Sequence, residues 1–253
     1  MRLLCAFLLV LALLPASAAP VPVPWKDGET LDYRIRWGAV LAASAHFTAR
    51  QDADGWRFAL DLRTRGPVEA MHPIRSLVYS VTRADPWRSV AYGDDRFAGG
   101  KWRAASGWID YAARSGSWHE DKDGATTDTP FPVPDPAVND IGSMLYGLRL
   151  VAWKEGVPVP WRVYNGPEIE KAEASLLRRE KIAPAEGGPE VSCLVVRVRP
   201  VYADAAKDAK GYGVTLWITD DARRLPLRAD LKARFGTFTL DWVTPGAIET
   251  PKQ

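Results

Sequence analysis

The chain has little of the two residue types, cysteine and histidine, on which much protein chemistry depends. Its 253 residues include two cysteines and three histidines. Cys5 lies in the apolar N-terminal run, so Cys193 alone remains once that run is removed, and no internal disulfide can form. No pair of histidines or cysteines has the spacing of a zinc site. We therefore predict no metal and no cofactor, and we expect stability to come from packing.

A strong charge of either sign is also missing. The sequence has 33 basic and 31 acidic residues, a net charge of +2. Its densest charged stretch, Arg178–Lys181, mixes both signs and has no aromatic residue among the charges, which is typical of a solvated strand face. No phosphate-binding glycine loop and no Gly-x-Ser-x-Gly motif are present. These absences predict that the protein does not bind nucleic acid.

The chain has one long hydrophobic run, and that run is too short to cross a membrane. The uncharged stretch Leu3–Leu14 falls well short of the ~20 residues that a membrane-spanning helix needs. Arg2 precedes it, and Pro15 and Ala16-Ser17-Ala18 follow it, which is the pattern of a cleavable signal peptide. We expect cleavage near Ala18 and a periplasmic or secreted protein with no integral membrane segment in the mature chain.

Composition divides the sequence after residue 18 into a leader, one domain and a tail. Residues 19–27 form a proline-rich leader, residues 28–247 a single β-rich domain, and residues 248–253 a tail. This length suits one all-β domain. Tryptophans and tyrosines are spread through it rather than concentrated in one block, as in a wide β-core or a binding cleft.

The stretch Leu225–Phe235 carries the clearest structural signal. Every odd position is apolar and, after Pro226, every even position is charged, so the apolar residues share one face only if the stretch is a strand. We interpret it as the return strand of a hairpin that turns at Asp220-Asp221. Its apolar side chains, which are Leu227, Ala229, Leu231 and Ala233, either seal a core or form the floor of a pocket.

Similar patterns predict many further strands and one helix. The helix covers Pro136–Leu150, with Asp135 as its cap and an apolar stripe of Val138, Ile141, Leu145 and Leu148. The strands cover 31–37, 42–50, 56–64, 76–83, 88–94, 108–112, 115–121, 125–131, 159–164, 172–182, 191–201, 214–219 and 237–243. Asp123-Gly124 predicts a tight hairpin, and Pro160 predicts an edge strand.

This pattern gives the fold class. Many strands and one helix predict a mainly β protein, with a large curved antiparallel sheet or open barrel and the main helix, at about 136–150, packed on it.

Few residues offer chemistry. Cys193 lies in a run of β-branched residues with no nearby base, so we interpret it as a buried thiol. The run His119–Gly124 is out of register for a calcium loop, and a hairpin turn explains it better.

Asp220-Asp221 fits a turn better than an acid and base pair. Asp140 fits a stabilising carboxylate at a helix end, and a functional role for it stays open. We predict no catalytic residue.

Three blocks of the sequence support a family resemblance. They are Gly28–Gly38, Asn139–Arg149, and Leu216–Pro226 leading to Phe235-Gly236. In order and spacing they resemble the DUF3108 family of exported bacterial proteins. The resemblance implies an exported, β-rich protein and brings no established activity with it.

Together these features favour a binding protein over an enzyme. We predict that the concave side of the sheet holds an apolar or lipid-like ligand of the cell envelope, with Tyr33, Trp37, Tyr146, Arg149 and Trp217 as the candidate lining residues. The alternatives are an envelope scaffold that binds a protein partner through a surface patch, and a glycan or lipid hydrolase using Asp140 or Asp220.

Overall fold

The fold is one continuous antiparallel sheet that curls around its own apolar face. The computed structural model describes residues 22–133, 137–201, 213–233 and 236–244. Within these ranges, 14 strands follow the order β8-β7-β6-β5-β4-β3-β2-β1-β14-β13-β12-β11-β10-β9. Strands β1 to β8 and strands β9 to β14 each pair in sequence order, and β1 also pairs with β14, so two long meanders meet in the middle of the sheet.

The elements have the following bounds. The strands are β1 Glu29–Trp37, β2 Val40–Asp52, β3 Gly55–Thr64, β4 Ile74–Ala84, β5 Trp87–Ala98, β6 Lys101–Asp110, β7 Ser115–Lys122, β8 Ala125–Pro132, β9 Val159–Tyr164, β10 Ile169–Ile182, β11 Val191–Pro200, β12 Gly213–Thr219, β13 Pro226–Ala233 and β14 Gly236–Val243. The helices are α1 Gly66–Met71 and α2 Ile141–Gly147, and a 3₁₀ turn, Leu148–Leu150, continues α2.

The predicted open, antiparallel β architecture is confirmed, as is the hairpin of β12 and β13. The predicted bounds of β6 were wrong, since the strand is Lys101–Asp110 rather than 108–112. Residues 101–107 contain no β-branched residue, so the pattern carries little strand signal. Pairing with β5 and β7 forms the strand nevertheless.

The helix prediction was right in place and wrong in extent. Asp135 and Pro136 lie outside the described residues, and α2 begins only at Ile141, so Val138 is not helical. Asp140 is the N-cap and forms a capping box with Ser143, which fixes the later start. Ile141 is 39% exposed and does not belong to the buried stripe. The short helix α1 was not predicted, because Pro67 and Pro73 broke the pattern there.

None of the helices in the described ranges is long and apolar enough to span a bilayer.

The edge strand β9 is joined to the interior strand β5 by a short extended segment rather than by strand pairing. The Ser89 amide of β5 donates to the Val138 carbonyl at 2.8 Å. The Asn139 amide donates to the Arg162 carbonyl of β9, and the Tyr164 amide donates to the Asn139 carbonyl, both at 2.8 Å. The main chain before α2 therefore bridges β5 and β9, and this use of Asn139 explains why the helix cannot start earlier.

The free edge of β8 is blocked by prolines. Asp123 and Gly124 both have positive φ, 54° and 84°, which confirms the tight two-residue hairpin and makes Lys122 and Ala125 its closing hydrogen-bonded pair. Because alternate residues of an antiparallel strand bond to opposite sides, the even-numbered residues of β8 direct their main-chain groups to the free edge. Pro130 and Pro132 occupy two of these positions and have no N–H to offer, so the edge is a poor template for another strand.

The other edge is blocked as well. β9 is the terminal strand, as Pro160 predicted, and its free side carries the Asn139 bridge.

Candidate binding surface on the concave face

Helix α2 and the 3₁₀ turn close one end of the concave face, and we call Ile141–Leu150 the plug. The Tyr146 ring of α2 stacks on Phe58, with centroids 3.9 Å apart. Trp25 packs edge-on against Tyr146 at 5.0 Å and is itself only 6% exposed. A β-carbon at Gly147 would lie 2.6 Å from the Trp87 Nε1 atom, so only glycine allows the plug to sit this deep.

A buried ion pair fastens the plug to the sheet. Arg149 donates from Nη1 and Nη2 to the two carboxylate oxygens of Glu29, at 2.6 and 2.9 Å. Its Nε and Nη2 also donate to the carbonyls of Arg224 and Arg223, each at 3.0 Å. The side chain of Arg149 is 2% exposed and that of Glu29 is 16% exposed. This bidentate pair fixes the plug relative to β1 and to the turn between β12 and β13.

Asp140 fastens the other side of the plug. Its carboxylate is fully buried and accepts hydrogen bonds from Ser80 Oγ at 2.7 Å, Ser89 Oγ at 2.5 Å and the Ser143 amide at 2.9 Å. Burial raises the pKa of Asp140 to about 6, although the hydrogen bonds from Ser89, Ser143 and Ser80 act to lower it. These contacts give Asp140 the structural role of a helix cap.

Beyond the plug, the concave face is apolar and only partly covered. Register places Phe47 of β2, Leu60 of β3 and Val78 of β4 side by side in one row. The next row contains Leu62 and Trp242, on either side of the buried Tyr33 and Ala45. We call the part-exposed members of these two rows the concave apolar surface: Phe47, Leu60, Leu62, Val78 and Trp242.

A second apolar row lies at the end of the sheet that the plug does not cover, separated from this surface by the row of the buried Ile35 and Ala43. Trp37 of β1 lies opposite Phe238 of β14, which lies opposite Leu231 of β13, which lies opposite Val214 of β12. We call these four residues the apolar rim. Trp37 is 47% exposed and Leu231 is 40% exposed, and the Trp37 and Phe238 rings stack at 6.2 Å. Large apolar side chains exposed side by side are typical of a binding surface.

The β13 strand shows where the core ends and the rim begins. Leu227 and Ala229 are buried at 7% and 8% exposure, whereas Leu231 is exposed. The sequence left two roles open for this apolar face, a core and a pocket floor. The structure divides the face between a sealed portion near the plug and an open portion at the rim.

Charged residues border the concave apolar surface on the β5–β7 side. One cross-strand row holds Arg96, Arg103 and Lys122, each opposite the next on β5, β6 and β7. The same row continues to Ser76 on β4, opposite Arg96, and to Leu62 on β3, opposite Ser76. We call these three cations the basic row. The neighbouring row holds Asp94 and Glu120, with Ala105 between them, and Val78 of β4 lies opposite Asp94.

The structure brings three of the five predicted lining residues together. Tyr33, Tyr146 and Arg149 are all buried at 5% exposure or less and surround Glu29, where they form part of the packing against the plug. Burial raises the pKa of Tyr33 and of Tyr146 above its usual value. In this structure these three side chains are covered by the packing around the plug and are not exposed on the concave apolar surface.

The other two predicted residues lie apart. Trp37 is in the apolar rim. Trp217 points away from the concave face, because its neighbours Leu216 and Ile218 belong to the core on that side. Its indole Nε1 donates to Glu180 Oε1 at 2.5 Å, and Arg228 lies 6.0 Å from its ring centroid.

Sequence reasoning did not single out the concave apolar surface or the basic row. Phe47, Leu60, Leu62 and Val78 lie in strands that were predicted, but their shared row depends on the pairing register of β2, β3 and β4. The alternation of apolar and polar residues along each strand does assign each side chain to one face of the sheet. That alternation cannot show which side chains of the face remain exposed to solvent.

The remaining candidates for chemistry have structural roles. Cys193 is fully buried, and burial raises its thiol pKa to about 11. Asp220 and Asp221 lie in the turn between β12 and β13, and Asp221 pairs with Arg223 at 2.6 Å. Within the residues that the structure describes, no group of three histidine, cysteine or acidic side chains could hold a metal ion.

A second concavity lies on the outer face of the sheet. It has a volume of about 300 Å³ and is lined by residues of β2–β5 that include His46, Asp61, Leu77 and Tyr79. It is shallow, and Arg63 donates to the Asp61 carboxylate at 2.6 Å beside it. We take the concave face as the candidate site because it carries both the concave apolar surface and the apolar rim.

Comparison with known proteins agrees with this architecture. A β-barrel-like protein of the domain of unknown function DUF1849 from Brucella abortus has a TM-score of 0.57 at 8% identity, covering 85% of this chain and 95% of that chain. A DUF1089 family protein from Pseudomonas aeruginosa has a TM-score of 0.40 at 11% identity, covering 76% of this chain and 90% of that chain. At such identities the first likeness shows a shared fold and nothing about function.

The sequence comparisons agree with the predicted resemblance. No curated protein matches the sequence. The family described as a protein of unknown function, DUF3108, matches residues 32–243, which includes every strand from β2 to β14 and most of β1. The chain therefore belongs to the DUF3108 family.

Proposed function

We propose that this protein is exported and binds an apolar, lipid-like molecule of the cell envelope on its concave face. The observation that carries the proposal is the contrast between the two ends of that face. One end is closed by the plug, while at the other the apolar rim exposes Trp37 and Leu231 at 47% and 40%. The N-terminal signal pattern supports export.

The geometry suits an elongated apolar ligand. The apolar rim crosses four strands, and because neighbouring strands lie about 4.8 Å apart, its three gaps give a length of ~14 Å. Inward from the rim comes the row of the buried Ile35 and Ala43, and the row after it holds Tyr33 and Ala45 between Leu62 and Trp242. A chain of about ten methylene groups would cover such a path, and burying each methylene contributes about 0.8 kcal/mol.

The direct test uses a neutral fluorescent probe, N-phenyl-1-naphthylamine, titrated into the purified protein without detergent. We expect saturable binding. Leu231→Gln removes apolar contact at the rim and should weaken binding about tenfold, a change of about 1.4 kcal/mol.

The chain offers a matched control. Leu77 lies on the outer face of β4 and is 37% exposed, almost the same as Leu231 at 40%. Leu77→Gln should leave probe binding unchanged. Equal loss in both variants, or no saturable binding by the wild type, would contradict the proposal.

A complementary measurement identifies the natural ligand. Native mass spectrometry of the protein taken from cell envelopes should show a species heavier than the polypeptide, and the Leu231→Gln variant should retain less of it. Recovery of bare polypeptide under conditions that keep lipids bound would count against the proposal.

A further inference from the structure

We propose that the ligand is an amphiphile with an anionic headgroup, and that the basic row, Arg96, Arg103 and Lys122, holds this headgroup. The inference rests on the proposed function, since it assigns the polar end of a molecule whose apolar part occupies the concave apolar surface.

The first argument is position. The basic row is not scattered over the outer surface but lies in the same cross-strand row as Leu62, with Ser76 between. Side chains directly opposite one another in an antiparallel sheet share a face, so the cations face the concave side, next to apolar residues. A ligand lying on Leu62 would reach Arg96 after two strand spacings and Lys122 after four, which is ~10–19 Å.

The second argument is charge. Asp94 and Glu120 are the carboxylates that the basic row contacts. Arg96 lies 3.2 Å from Asp94, Lys122 lies 2.6 Å from Glu120, and Arg103 also contacts Glu120. The hydrogen bond from Lys122, together with Arg103, holds the pKa of Glu120 below its usual value, so both of its partners face an ionised group. Three cations share two carboxylates, and one positive charge is left for a ligand.

The third argument is hydrogen bonding. The Nε–H of Arg103 is shielded from solvent and has no acceptor among the described residues. The side chains of Arg96 and Arg103 are nevertheless 50% and 43% exposed, so their guanidinium groups can be reached from outside. A buried donor beside an accessible guanidinium is suited to an oxyanion, which accepts several hydrogen bonds at once.

The arrangement does not distinguish a carboxylate from a phosphate, because both are planar or tetrahedral groups of oxygen acceptors that guanidinium binds well. The shared chemistry is an anionic oxygen headgroup on an alkyl chain. The experiment therefore includes both kinds.

The test measures displacement of N-phenyl-1-naphthylamine by three twelve-carbon ligands, namely dodecanol, dodecanoate and dodecyl phosphate, at pH 8 and low salt. We expect at least one anionic ligand to bind about tenfold more tightly than dodecanol. In Arg103→Gln this preference should fall to threefold or less, while the affinity for the probe and for dodecanol stays the same. The preference should also shrink in high salt, since the guanidinium groups are half-exposed.

Two further variants complete the displacement experiment. Arg96→Gln provides a second test if Arg103→Gln does not fold, because Asp94 keeps its hydrogen bond from Ser76 Oγ at 2.5 Å. Arg57→Gln is the control, since Arg57 lies at the opposite end of β3, is 64% exposed and pairs with Asp52.

The outcomes separate the two proposals. Probe binding without any preference for the anionic ligands, or a preference that survives in both arginine variants, would overturn the headgroup assignment and leave the apolar site standing. Failure of the wild type to bind the probe would overturn both. The relative affinity of dodecanoate and dodecyl phosphate decides between the two headgroups.

Discussion

The buried carboxylate of Asp140 predicts an unusual dependence of stability on pH. Its folded-state pKa of about 6 lies above the usual value of 3.8, because burial disfavours the charged form. The folded protein therefore holds the Asp140 proton more tightly than the unfolded chain does. The resulting stabilisation is complete below about pH 3.8 and is lost as the pH rises through about 6.

The magnitude follows from the same values. A tenfold change in proton affinity corresponds to about 1.4 kcal/mol, so raising the pKa from 3.8 to about 6 predicts that Asp140 contributes about 3 kcal/mol less at pH 8 than at a pH well below 3.8. Most carboxylates with a shifted pKa act in the opposite direction, since their pKa is lowered by a cation and they destabilise the protein when protonated.

Asp140→Asn isolates this contribution. An asparagine can accept from the Ser143 amide through Oδ1 and donate from Nδ2 to the hydroxyl oxygens of Ser80 and Ser89, so both the cap and the buried network keep their partners. We expect the variant to match the wild type at pH 4 and to be more stable by about 3 kcal/mol at pH 8.

The assay is urea unfolding followed by tryptophan fluorescence at several pH values from 4 to 8. The quantity that matters is the difference in unfolding free energy between wild type and variant, which cancels the contribution of all other groups. Asp95→Asn, at an exposed carboxylate on β5, is the control and should stay within about 0.5 kcal/mol of the wild type throughout. A difference between wild type and Asp140→Asn that does not change with pH would refute the reasoning.

Three further predictions concern other parts of the fold. Arg149→Met leaves the Glu29 charge buried without its partner and should destabilise the protein by about 3–5 kcal/mol in urea unfolding, whereas adding Glu29→Gln should restore at least about 1 kcal/mol. Replacing Pro130 and Pro132 with valine returns two N–H donors to the free edge of β8, and light scattering should then show self-association that the wild type lacks at the same concentration. Cys193, whose thiol pKa is about 11, should react with iodoacetamide at pH 8 only after unfolding in urea, and rapid reaction of the folded protein would contradict its burial.

The fold could be predicted from the sequence where the signal was local. Alternation in β13 and the Asp123-Gly124 turn each report on a few adjacent residues, and both predictions were confirmed. The extent of α2 could not be obtained this way. Asp140 became the cap because Asn139 bonds to β9, and β9 lies more than 20 residues further along the chain. No window of the sequence around residue 139 contains that information.

The candidate site depended still more on contacts between distant residues. Tyr33 and Arg149 were chosen as aromatic and cationic residues in distinctive blocks, and they do meet, but in the packing around Glu29. The basic row is built from β5, β6 and β7, and only their register places Arg96 opposite Arg103. Each of these arginines, in its own strand, resembles an ordinary solvated residue.

The apolar rim and the plug have separable roles in this fold. The largest buried cluster, which contains Leu148 and Trp161, and a smaller aromatic cluster around Tyr146 lie at the plug, and the network of Asp140 and the ion pair of Arg149 hold it there. Leu231 contributes little to that core, because it is 40% exposed in the folded chain. A polar substitution at the rim should therefore change stability by no more than about 0.5 kcal/mol, whereas a change at the plug destabilises the whole sheet. Folding therefore does not require the rim to be apolar, and the exposure of Trp37 and Leu231 on either side of Phe238 is the observation on which the proposed binding role rests.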